Sequence, residues 1–170
     1  MRKEYQPQQR PIMVKSDITK SSRHHSIIGH FGEALTANWL SRSGWEVVLV
    51  DHTGIDIVAY HPATHQRIGI TVKSRTREPI RERDSVTLNL GQEKIRAACK
   101  AFDCEPWLAV YVEVSGGADL YLLSLQIYQE RYHTRSIGDY WKMGPKFKPL
   151  YDQDPEVKHI HIEFNPTNWF

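Results

Sequence analysis

The sequence predicts an α/β fold in which a central mixed β-sheet is flanked by helices, in the order helix, three strands, helix, two strands. Two observations lead there. Apolar residues recur at three- and four-residue steps over residues 26–43 and again over 91–102, the helical period. Between and after these stretches lie short β-branched and aromatic runs broken by turn residues, which read as strands and hairpins. A chain of 170 residues that alternates such elements fits one domain with a substantial core.

The elements follow in order. Ile28, Phe31, Leu35 and Trp39 form the apolar stripe of the first helix, and Gly44 stops it. Trp45 to Val50 is a buried strand. Thr53-Gly54 turns the chain into a second strand, Ile55 to Tyr60. Residues 61–66 turn a hairpin whose return strand is Arg67 to Lys73. Residues 74–88 read as a polar, basic loop. The second helix spans Gly91 to Phe102, with Asn89 as its expected cap. Two strands, 106–114 and 119–125, flank Ser115-Gly116-Gly117 as a hairpin. The tail reads as irregular until an alternating strand at 158–164.

Charge is distributed unevenly around a formal net of +2. Residues 1–23 carry six Lys and Arg against two acids, and 74–100 carry seven against four. Such segments can neutralise phosphate backbones. The expected organisation is a basic, flexible arm over 1–23 and a single domain over 24–170, with its core at 24–125 and an extension at 126–170. No apolar run approaches the roughly 20 residues of a membrane span. The first residues carry charge with no hydrophobic segment behind them. Two cysteines, Cys99 and Cys104, form no disulfide framework. Together these predict a cytoplasmic, intracellular protein with no membrane partner.

Strand periodicity then places charge where a core would exclude it. Asp56 interrupts Ile55-Asp56-Ile57-Val58, and in the return strand Gly69, Thr71 and Lys73 share the face opposite Ile68, Ile70 and Val72. A hairpin centred near Ala63-Thr64 pairs residues whose numbers sum to 127, which sets Asp56 across from Thr71 and diagonal to Lys73. On the first helix Glu33 lies at the border of the buried face, where it can turn towards Asp56. Gly29 and Gly32 each cost that helix about 1 kcal/mol relative to Ala, so a close approach by the sheet or a ligand is expected.

These residues resemble the PD-(D/E)xK nuclease superfamily, in particular its restriction-endonuclease-like and Holliday-junction-resolvase-like branch. The resemblance lies in Gly29-His30-Phe31-Gly32-Glu33 with Leu40 and Gly44, then Gly54-Ile55-Asp56, then Thr71-Val72-Lys73, over roughly residues 24–125. It implies a restriction-endonuclease-like fold and a magnesium-dependent endonuclease, with manganese as a substitute, that hydrolyses DNA by metal-activated water. Asp56 would be the main metal ligand, Glu33 a direct or water-bridged one, and the Val72 carbonyl a further one. Lys73 would orient or deprotonate the attacking water. The sequence departs from the family pattern at Ile55, where proline is usual, and at Thr71, where the pattern has Glu or Gln.

The implied partner is double-stranded or branched DNA, with an RNA substrate using the same residues and a homodimer as the form suited to cutting two strands. Arg75, Arg77, His25 and Lys94 are the candidate DNA contacts. The alternative is a module that keeps the fold and binds DNA or a protein without cleavage. Thr71 favours it, and the joint presence of Glu33, Asp56 and Lys73 opposes it. The nine histidines form no spacing that completes a zinc site, and His159 and His161 read as surface residues. The tail aromatics Tyr128, Tyr132, Tyr140, Trp141 and Phe147 read as packing against the sheet, with base stacking as the other use.

Overall fold

The computed structural model describes residues 20–77, 85–114, 116–133 and 138–164. The expected arm (all but residues 20–23) and the basic residues Arg81 and Arg83 fall outside them. The described elements are α1 (His24–Arg42), β1 (Glu46–His52), β2 (Ile55–Tyr60), β3 (Arg67–Arg77), β4 (Ser85–Thr87), α2 (Gln92–Ala101), β5 (Glu105–Val114), β6 (Gly117–Ser124), α3 (Leu125–Ile127), β7 (Tyr140–Lys142), α4 (Lys148–Gln153) and β8 (Lys158–Glu163), with a π-helical turn over Tyr128–Tyr132. Among the described residues no helix is long and apolar enough to cross a membrane.

Six strands form one mixed sheet in the order β1-β2-β3-β5-β6-β8, and β4 and β7 form a small ribbon. Only β3 and β5 run parallel within that sheet, because α2 intervenes between them and makes the crossover that parallel pairing requires. Each face carries its own core. Ile57, Ala59, Ile68, Ile70, Val72, Ala109, Tyr111 and Leu120 pack with Leu40 of α1 on one side. Leu108, Val110, Val112, Tyr121 and Leu123 pack on the other with Ile95 and Cys99 of α2 and with the tail. Alternation along β5 and β6 thus feeds two apolar layers, the expected pattern for a central strand buried on both faces.

The predicted sheet with helices on both sides is present, and so is the hairpin register: Ile57, Val58, Ala59 and Tyr60 pair with Ile70, Gly69, Ile68 and Arg67, each pair summing to 127. Gly44 leaves the end of α1 with φ of 86°, as its stop position requires. Several finer expectations are corrected. The buried stripe of α1 is Ile28, Gly32, Thr36 and Leu40, and Phe31 is 44% exposed. Gly32 explains the shift. With no side chain there, the helix approaches β3 and β5 until an added Cβ would lie 3.2 Å from the Tyr111 Cβ and against the Ser74 hydroxyl. Gly29 has nothing within 4 Å, so the close approach expected of both glycines belongs to Gly32 alone.

Asn89 does not cap α2. Its φ is 51°, and Gly91 occupies the cap position in a left-handed conformation. Arg75 and Arg77 lie on β3, which extends to Arg77, and residues 85–87 form β4 rather than loop. The tail is ordered into α3, the π turn, β7 and α4 because its aromatics have a sheet face to cover. Trp141 stacks on Tyr151 at 4.2 Å, and Tyr121 meets both rings at 5.1–5.2 Å. Tyr128 and Trp141 are fully buried, so these two rings serve packing and not base stacking.

His161 is exposed, as expected, whereas His159 is partly buried, and both are tied into a network. Both donate to Asp119 Oδ1, at 3.0 and 2.8 Å, while Lys148 donates to Oδ2 at 2.6 Å. His159 also reaches Asp152 at 2.6 Å and stacks on Tyr121 at 4.4 Å. Asp119 is 1% exposed. Burial alone would raise its pKa, but the three hydrogen bonds outweigh that and hold the carboxyl well below its usual range. The network ties the edge strand β8 and helix α4 to β6.

Two outcomes follow. Gly54 has φ of 111°, and a Cβ there would lie 2.5 Å from the Lys94 carbonyl oxygen of α2. Gly54→Ala is therefore expected to destabilise the fold by about 2–4 kcal/mol in urea unfolding. Secondly, the Asp119 hydrogen bond raises the pKa of His159. A raised folded-state pKa adds stability that is full below the unfolded value of about 6.5 and is lost as pH rises through the folded value. The melting-temperature advantage of the wild type over His159→Gln should accordingly shrink as pH rises above about 6.5.

Candidate active site

Asp56 stands where regular β-structure gives way. The β1–β2 ladder pairs Leu49 with Ile57 and then His52 with Ile55, so Val50 and Asp51 together oppose Asp56. This is a β-bulge, two residues facing one, and bulges re-aim the side chains they contain. The consequence shows in the core. Ile55 packs with the α2-side cluster and Ile57 with the α1-side cluster, although residues two apart in a regular strand share a face. The chain therefore rotates through Asp56.

The β2–β3 ladder also stops short of the expected Asp56–Thr71 pair, its last partners being Ile57 and Ile70. Beyond them the Val72 amide donates to Asp56 Oδ2 at 2.6 Å. A side chain thus replaces a backbone acceptor, which holds the carboxylate against β3 and leaves its other oxygen for other partners. The N–H and C=O of a strand residue leave on the same edge, so the Val72 carbonyl faces the same gap.

Asp56 lines an open polar cavity of about 440 Å³ together with His30, Glu33, Leu49, Val50 and Asp51. Burial raises the pKa of Glu33, and the charges of Asp56 and then Asp51 add to it, with His30 opposing. Burial lowers that of Lys73, against the pull of Asp56 in the opposite sense. The same carboxylate therefore acts on both Glu33 and Lys73; Glu33 and Asp56 line the cavity, and Lys73 does not. Thr71 is 2% exposed and pairs with Leu108 of β5, and it is not part of the cavity lining. His30, which the sequence places near Glu33 as a candidate substrate contact, lines the cavity, and so does Asp51, which sequence spacing does not mark. Only the bulge, which periodicity cannot register, sets Asp51 opposite Asp56.

The cavity is lined by hard oxygen donors that suit a divalent magnesium ion, which keeps several waters and takes one or two carboxylates. No group of three or more His, Cys, Asp and Glu stands together as a complete metal cage among the described residues.

The remaining candidates divide. His25 and Lys94 are exposed, on the first turns of α1 and α2. Arg77 reaches the Met143 carbonyl at 3.4 Å and has further interactions. The Arg75 guanidinium donates to the carbonyl oxygens of Thr87, Ser74 and Leu88 at 2.6, 2.8 and 3.0 Å, strapping the segment before α2 to β3. Arg75→Met should cost about 2 kcal/mol in unfolding experiments. A phosphate contact would instead lower the slope of log affinity against log salt by about 1 with stability unchanged.

No protein-family model matches the chain, and no curated protein matches it. Among solved structures it is similar to Hjc, a Holliday junction resolvase from the archaeal hyperthermophile Archaeoglobus fulgidus, at 16% identity and a TM-score of 0.45, with 72% of this chain and 93% of that chain covered. A likeness at that level carries no argument about activity, which rests on the residues themselves.

Proposed function

We propose that the chain is a metal-dependent endonuclease that hydrolyses phosphodiester bonds in double-stranded or branched DNA, with its core over residues 24–125. The observation that carries the reading is the pairing of Glu33 and Asp56, from two separate elements, in one open polar cavity, with Lys73 of a third element within the influence of Asp56. Two acids and a desolvated lysine have little structural use there, since a buried or half-buried charge is costly unless it acts on something.

In this reading Asp56 would hold a magnesium or manganese ion, Glu33 would hold it directly or through water, and the Val72 carbonyl would supply a neutral oxygen. The ion, when bound, activates water and offsets the charge that develops on phosphorus. Lys73 stands close enough to Asp56 to feel its charge, and burial lowers its proton affinity. Its Nζ is thus suited to take a proton from the attacking water, or to neutralise a phosphoryl oxygen. Thr71 contributes a buried hydroxyl and no charge. Arg77, His25 and Lys94 would meet phosphates along the duplex, and a homodimer would supply a second site for the opposite strand.

A second reading, a module that binds DNA or a protein partner without cutting, is favoured by one observation. Where the family pattern has a third acidic or amide ligand, this chain has a buried threonine.

Nicking of supercoiled plasmid and of a four-way junction, with magnesium or manganese, separates the two. The expected outcome is metal-dependent cutting that falls by roughly 100-fold or more in Asp56→Ala. Salt-sensitive DNA binding that survives Asp56→Ala, with no cutting by the wild type, would overturn the nuclease reading in favour of the module.

A further inference from the structure

Glu33 reaches the site from a helix, so its position depends on how closely α1 stands to the sheet. That spacing is set one residue away. Gly32 faces β3 and β5, where an added Cβ would overlap the Ser74 hydroxyl and lie 3.2 Å from Tyr111 Cβ and 3.5 Å from Ser74 Cβ. Ser74 is 6% exposed, and its hydroxyl oxygen has no hydrogen-bond partner. The carbonyl of Gly32 is held from within the helix by the Thr36 hydroxyl at 2.7 Å. At Gly29, one turn earlier, an added Cβ would meet nothing within 4 Å.

We propose that Gly32 and Ser74 form a positioning pair that sets the Glu33 carboxylate relative to Asp56 and Lys73. Each member adjoins one residue of the site in sequence: Gly32 precedes Glu33, and Ser74 follows Lys73. The contact between them therefore registers the helix ligand against the strand lysine across the α1–β3 interface. Its catalytic consequence rests on the nuclease reading above; its geometry does not. Magnesium demands near-ideal octahedral positions for its ligands, and displacement of a catalytic group by about 1 Å can cost roughly 100-fold in rate. A methyl group at position 32 would strike the Ser74 hydroxyl and crowd Tyr111 Cβ, so either the buried hydroxyl turns aside or the helix moves, and moving the helix moves Glu33.

The test is a double-mutant cycle on the full chain, read in two ways. Nuclear Overhauser contacts from Gly32 Hα to the Ser74 and Tyr111 side chains report the placement without reference to activity. Metal-dependent nicking, as kcat and as the manganese concentration for half-maximal rate, reports the consequence. Gly32→Ala should cut about 10- to 100-fold more slowly and need more manganese, with KM for DNA little changed. Gly32→Ala combined with Ser74→Ala removes the oxygen that the new methyl would strike, and should recover most of the loss. Gly29→Ala should cut as the wild type does.

Wild-type activity in Gly32→Ala, or a folded double variant with no recovery, would overturn the pairing. So would the absence of the Gly32–Ser74 contacts in the wild type. If Gly32→Ala fails to fold, the double variant decides: folded and active supports the pairing, folded and inactive overturns it. Absence of Asp56-dependent cutting in the wild type would instead overturn the nuclease reading, and with it the consequence proposed here. The contact measurements would still show whether the helix is seated as described.

Discussion

The hydrogen bond from the Val72 amide to the Asp56 carboxylate is the constraint on which the site depends. It lies where the β2–β3 backbone ladder ends, and without it a half-buried carboxylate would sit beside an amide lacking its strand partner. A hydrogen bond of this charge-assisted kind is worth about 1.5–3 kcal/mol, and it also sets direction. With one oxygen held on β3, the other is left towards the cavity that Glu33 enters from α1. The bulge in β1 creates the space by setting two residues opposite one.

Around that point the fold is rigid on both faces. On the α1 side a glycine lets the helix approach the sheet closely, and on the α2 side Gly54 sits against the Lys94 carbonyl. Arg75 straps the segment before α2 to β3 through three carbonyl groups. Far from the cavity, the Asp119 network and the aromatic stack of Tyr121, Trp141 and Tyr151 dock the tail onto β6. The open, acidic cavity is thus set in a frame whose other buried charges, Asp119 above all, are matched by partners. Glu33 differs, a partly buried carboxylate crowded by Asp56 and Asp51 and offset by His30. Crowded like charges of this sort favour a cation.

Much of this was legible in the chain itself. Period-two runs with a turn at 61–66 were enough to place the β2–β3 register, because a slip of one residue would turn every isoleucine to the wrong face. An aspartate inside an apolar strand stood out for the same reason, and it lines the candidate cavity. Less legible was the stripe of α1. Phe31 outweighs Gly32 in any count of apolar residues, yet Gly32 is buried against the sheet and Phe31 stays 44% exposed. Absence of a side chain leaves no periodic signal, although it permits the closest packing.

What the sequence determined by itself was therefore local: which stretches are helix or strand, which faces are apolar, how one hairpin pairs, and which charges break the pattern. Those properties depend on residues within a few positions of one another. Tertiary structure alone decided that Asp56 bonds to Val72 and not across to Thr71, that Asp51 joins the cavity, that Arg75 is a strap, and that His159 and His161 close on Asp119. Each of these joins groups on different elements or turns on a bulge. Their distances depend on how whole strands and helices are seated, which no local spacing records.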